Sequence, residues 1–130
     1  MIGIVIVAHG GLAQEYQKAV EHVIGPQSGI RAIPVSAACD RSAKEDEICR
    51  AADEVDVGAG VVIVTDIFGG SPSNLSMGAC APQDRVIFYG VNLPALIKLA
   101  RSRAKPLAEA VALAKAAGTR YMDVAAGPAA

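Results

Sequence analysis

Ile2-Gly3-Ile4-Val5-Ile6-Val7-Ala8-His9-Gly10-Gly11 is the stretch that decides the fold. From Ile2 to Val7 it is β-branched almost throughout and contains no polar residue. A strand with one wet face would alternate, so an unbroken apolar run reads as a strand buried on both faces. Such strands occur in parallel sheets covered by helices. The histidine falls where the buried strand ends, and the two glycines after it permit a sharp turn.

Working outward, Leu12, Tyr16, Ala19, Val20, Val23 and Ile24 repeat at helical spacing, and Gly25-Pro26 stops that helix. Ile30 to Val35 predicts a second strand, with Pro34 placing it at a sheet edge. Ser42 to Glu45 has the S-x-x-E form of a capping box and opens a charged helix to about Val55. Val61 to Val64 is a third apolar strand, followed by a small-residue helix through Met77. Arg85 to Tyr89 reads as a fourth strand. Asn92 and Pro94 open a helix carrying Leu96, Ile97 and Leu99, and Pro106 opens another that ends at Gly118. Arg120 to Val124 is a candidate for a short extra strand.

Alternation of strand and helix implies an α/β fold in three layers. With the second strand at an edge and right-handed crossovers, the mainly parallel sheet takes the order 2-1-3-4, helices on both faces. The expectation is a single domain over 1–125, with 126–130 as a loose tail.

Composition narrows the function. The 130 residues are 52% hydrophobic with mean hydropathy +0.37, so most of the chain is not disordered. The net charge of −1 forces no basic face, so nucleic acid is a poor default partner. No apolar run approaches the ~20 residues of a membrane helix, and the start lacks a basic leader, so a cytoplasmic location is expected. Cys39, Cys49 and Cys80 fit no zinc or redox spacing and read as reduced thiols. Two histidines and scattered acids make no dense ligand cluster, so no metal is expected. His22, on the first helix, reads as structural.

In an open α/β sheet, sites form beyond the carboxyl ends of strands where strand order reverses. Here that point lies between strands 1 and 3, whose carboxyl ends carry His9 and Asp66. A carboxylate accepting a hydrogen bond from one ring nitrogen fixes the imidazole tautomer and leaves the other nitrogen's lone pair outward. It also stabilises the positive ring that forms on attack. Beside Asp66, Gly69 and Gly70 let backbone N–H groups turn toward a ligand. Ser71 followed by Pro72 reads as an N-cap with proline in the first turn, and a helix start favours an anion, phosphate above all. Gly10, opening the first helix, joins them. GGSP lacks the ending of a P-loop. A phosphorylated histidine is the species that uses all these groups.

Three segments, IVIVAHGGLA, VVIVTDIFGGSPSN and YGVNLPAL, together resemble the IIA component of the mannose/fructose family of the bacterial phosphoenolpyruvate-dependent sugar phosphotransferase system. The likeness runs from Ile2 to about Val124. It implies a phosphocarrier: His9 accepts a phosphoryl group from the carrier HPr and passes it to a IIB component. Asp66 would hold Nδ1 so that the phosphoryl rides on Nε2, with Ser71, Gly69, Gly70 and Gly10 around its oxygens. No metal or organic cofactor is implied. Family members are dimers, some exchanging a C-terminal strand, which would fall at Arg120 to Val124. Phe68 stands where tryptophan is frequent, and Phe68, Leu12 and Leu93 are the candidate rim against partners. The alternative is a regulatory phosphoprotein whose His9 phosphorylation state controls a partner without sugar transport.

Overall fold

The computed structural model describes residues 1–67, 70–80 and 84–128. The element order is β1 (Gly3–His9), α1 (Leu12–Ile24), β2 (Ile30–Val35), α2 (Arg41–Val55), β3 (Val61–Thr65) and α3 (Ser71–Ser76). A 3-10 turn (Met77–Cys80), β4 (Arg85–Phe88), α4 (Leu93–Arg101) and α5 (Leu107–Arg120) complete it. The four strands form one parallel sheet in the order β2-β1-β3-β4. This is the three-layer α/β architecture that the alternation of strands and helices implies.

β1 is central because both of its faces are apolar. Ile4, Ile6 and Ala8 join the core under α1, α4 and α5, while Val5 and Val7 join the core under α2 and α3. The period of two along a strand assigns them so. β3 divides the same way, with Val62 and Val64 on the first side and Val61 and Ile63 on the second. Pro34 lies in edge strand β2 opposite Ala8, where a residue without an N–H is tolerated.

Two helix boundaries and one expected strand differ from the sequence reading here. The N-cap of α2 is Asp40, whose carboxylate accepts from the Ala43 N–H at 3.2 Å, so Ser42 lies inside the helix and forms no capping box. α5 continues through Gly118 to Arg120, since a helical glycine costs only ~1 kcal/mol and Ala114 and Ala117 anchor that turn in the core. Arg120 to Val124 consequently forms no strand. Arg120 ends the helix, and the side chains of Tyr121, Met122 and Val124 are 66%, 73% and 92% exposed. Cys39 and Cys49 are half-buried free thiols, and the Cys80 side chain lies outside the described residues. No described helix is long and apolar enough to cross a membrane.

Candidate functional site

The β1–β3 ladder ends at the pair Val7 and Thr65. The His9 N–H falls beyond it, where no further strand carbonyl stands opposite. The Asp66 carboxylate fills that place: Oδ2 accepts from the His9 backbone N–H at 3.2 Å and is 2.8 Å from His9 Nδ1. One oxygen thus fixes both the backbone and the ring of the same residue. With the carboxylate ionised, Nδ1 carries the proton and Nε2 keeps its lone pair.

Asp66 stays ionised despite its position. Burial pushes its carboxyl up, but the side-chain and backbone hydrogen bonds from His9 and, when the ring is protonated, its charge together hold it below its ordinary range. The Asp66 side chain is 14% exposed and that of His9 52%, so the acid is sheltered and the ring stands open. Two buried oxygens here, Asp66 Oδ1 and Thr65 Oγ1, have no hydrogen-bond partner among the described residues.

Gly70 brings a helix start to the ring. A Cβ there would lie 3.1 Å from His9 Cε1 and 3.5 Å from Nε2, so only glycine leaves this approach unobstructed. Gly70, in extended backbone, is the N-cap of α3. Ser71 is therefore the first helical residue and not the cap expected, and no side chain caps this helix. Its side chain is exposed, while the Ser73 hydroxyl donates back to the Gly70 carbonyl at 3.1 Å. Gly10 takes φ 56°, the left-handed turn that glycine favours, and its N–H donates to the Val35 carbonyl at 2.9 Å. That group serves the turn; it is not left pointing at the ring. Gly69 and Phe68 lie outside the described residues.

Behind the carboxylate, the Val91 N–H donates to the Thr65 carbonyl at 3.2 Å, and the Tyr16 hydroxyl donates to the Val91 carbonyl at 3.3 Å. Burial and then the Asp66 charge raise the Tyr16 pKa, which marks the phenol as a neighbour of the site. Its helical spacing had identified it only as a core position. Asn92 holds the loop from both sides: Oδ1 accepts from the Ala95 N–H at 3.0 Å, and Nδ2 donates to the Gly118 carbonyl at 3.0 Å. Of the candidate rim residues, Leu12 is exposed and Leu93 half-buried against the core. Ile67 and Tyr89, both 54% exposed, follow β3 and β4 at this end of the sheet and were not singled out in the sequence. Their mark was position: a large apolar residue just past a strand's carboxyl end. His22 is exposed in the last turn of α1, away from β1's end.

These features define a doubly wound parallel sheet with a carboxylate-oriented histidine at its switch point. A family model described as the fructose IIA component of the phosphotransferase system matches residues 3–115. The chain belongs to the fructose/mannose IIA family of the phosphoenolpyruvate-dependent sugar phosphotransferase system. Solved structures agree in fold. An EIIA component from Streptococcus agalactiae is similar with TM-score 0.85 and 22% identity, over 95% of this chain and 97% of that one. A mannose/sorbose-specific IIA subunit from Enterococcus faecalis gives TM-score 0.86 and 19% identity, over 99% and 98%. A IIA protein associated with the fucose utilization operon of Streptococcus pneumoniae gives TM-score 0.77 and 26% identity, over 88% of each. Comparison with curated protein sequences gives no match.

Proposed function

We propose that His9 carries a phosphoryl group, accepted from phospho-HPr and passed to a IIB component in sugar phosphotransfer. The observation that carries this reading is the 2.8 Å contact from Nδ1 to an ionised Asp66. It supports a proton on Nδ1 and the nucleophilic lone pair on Nε2. In the first transfer, the Nε2 pair forms a bond to phosphorus as the donor's bond to phosphorus breaks, its electrons returning to the donor. The ring becomes positive, and the Asp66 carboxylate balances it. The second transfer reverses the roles, with Nε2 as the leaving atom. Such chemistry needs positioning and charge stabilisation more than covalent help.

Family membership supports the donor and acceptor, and the geometry supports the atom. The start of α3 at Gly70 and Ser71, with the Ser71 hydroxyl, is suited to the phosphoryl oxygens. Leu12, Ile67 and Tyr89 give a partly apolar rim on which HPr and IIB dock in turn, each briefly and over a modest area. A homodimer in the cytoplasm is the proposed working form. The exposed Met122–Val124 segment and the half-buried edge strand β4 are the surfaces it would cover.

Incubation with phosphoenolpyruvate, enzyme I and HPr, followed by intact mass, tests the reading. One added phosphoryl, acid-labile and lost in His9→Ala with the fold retained, is expected. Unmodified protein beside phosphorylated HPr would overturn it.

A further inference from the structure

We propose that the outer face of α4 is a second docking site, for an acidic, apolar-centred segment of a partner protein, separate from the His9 rim. α4 turns Ala95, Leu96, Leu99 and Ala100 to the core. Its opposite stripe of Pro94, Ile97, Lys98 and Arg101 has the i, i+3, i+4, i+7 spacing of one helix face. That stripe floors a groove of about 370 Å³, walled by Val23 of α1 and by Arg120 and Tyr121 at the end of α5. Val23 is 49% exposed, so the apolar part of the groove is open to solvent.

Charge specifies the occupant. Lys98, Arg101 and Arg120 converge on the groove, and none forms an ion pair with a carboxylate among the described residues. No carboxylate lines the groove. Cations in the last turns of α4 and α5 suit the helix dipoles. The dipoles do not explain why three of them surround one apolar floor. The chain as a whole carries a net charge of −1, so the three cations make the sign local to this groove. A partner side chain entering between Val23 and Ile97, flanked by carboxylates, satisfies both the apolar floor and the cations.

The shape selects a protein segment. The stripe is about 10 Å long at ~1.5 Å per residue, which matches two turns of a partner helix and suits a concave seat rather than a flat lipid surface. The acidic helix α2 of a second copy fits poorly: it carries no large exposed apolar side chain between residues 36 and 56. Glu47, Asp53, Glu54 and Asp56 there are already paired with Lys44, Arg85 and Arg31.

The test uses the full chain, labelled with 15N, and a designed helical peptide of about 14 residues with leucines on one face and glutamates beside them. Amide shifts confined to Val23, Ile97, Lys98, Arg101, Arg120 and Tyr121, with His9 and Gly70 unmoved, are expected. The pair Lys98→Glu and Arg101→Glu, both on exposed positions, should weaken binding at least ~10-fold, as should a rise from about 0.05 to 0.3 M salt. A glutamate-to-lysine peptide should not bind. Val23→Asp gives an independent check on the apolar wall and should also reduce binding. No shifts, shifts centred on His9, or shifts unchanged in the reversal variant would overturn the proposal. Concentration-dependent shifts of the same amides without peptide would assign the groove to a second copy, and binding only to anionic lipid vesicles would assign it to a membrane; either rejects it.

Discussion

The two ends of β1 treat polar groups in opposite ways. At the amino end, Arg103 is 3% exposed, yet every nitrogen has a partner. Nε donates to the Ile2 carbonyl at 2.7 Å, Nη1 to Ser28 at 2.7 Å and Nη2 to Gly29 at 3.1 Å. The cation gathers the starts of β1 and β2 onto the turn after α4, and its own backbone carbonyl accepts from the Ile2 N–H. At the carboxyl end, His9 stands open, and Thr65 Oγ1 and Asp66 Oδ1 lack partners among the described residues. A satisfied buried cation makes one end rigid. An unsatisfied, half-open end leaves groups for chemistry and tolerates the associated cost. The lesson is that stability and reactivity are divided between the two ends of one strand.

The division predicts variants that damage one end and spare the other. Arg103→Met takes the arginine donor from the Ile2 and Ser28 carbonyls, while the Gly29 carbonyl keeps the Ile4 N–H. It should cost about 3 kcal/mol in chemical denaturation while leaving phosphoryl acceptance per folded molecule unchanged. A loss of acceptance at constant stability would mean the ends are coupled. Asp66→Asn should slow acceptance on the order of 10²-fold with the fold intact, because the ring loses its fixed tautomer and its counter-charge. Rapid-quench transfer from phospho-HPr measures it, and a wild-type rate removes Asp66 from the mechanism.

The same variant carries a pH signature. The folded Asp66 titrates below its unfolded value, so it contributes stability above the unfolded value. That contribution is lost as pH falls through the folded one. Wild-type stability should therefore drop from the ordinary carboxylate range downward, and Asp66→Asn should flatten that part of the profile. An identical acid profile in both would mean that the folded and unfolded carboxyls titrate alike.

Smaller effects sharpen the contrast. Gly70→Ala places a methyl 3.0 Å from Ile67 Cγ2 and 3.1 Å from the His9 ring. It should slow acceptance about 10-fold, roughly 1.4 kcal/mol, with little change in stability. Thr65→Val removes a buried hydroxyl that has no partner among the described residues and should stabilise the protein by up to ~1 kcal/mol. A clear destabilisation would show that the hydroxyl is satisfied after all, by water or by a residue of the adjoining turn.

The sequence exposed the carboxyl end more fully than the amino end. An apolar strand running into His9, and another into Asp66, placed both residues by topology alone. The strand order followed from Pro34 and the handedness of crossovers. Arg103 carried no such mark, because an arginine in a charged turn reads as a solvated residue until its carbonyl partners are brought to it from 74 to 101 positions away. Tyr16 was hidden for the opposite reason: its aromatic ring satisfied the helix pattern, and its hydroxyl's reach to Val91 is tertiary. Local chemistry misplaced the caps. Asp40 competed with Ser42 only two positions away, and Gly70 displaced Ser71 by one.

The most direct measurement is 15N and 31P NMR of the protein phosphorylated from phospho-HPr, with the histidines labelled. The account predicts a phosphorus coupled to His9 Nε2, with Nδ1 still protonated against Asp66. A phosphoryl on Nδ1, or on any residue other than His9, would contradict it.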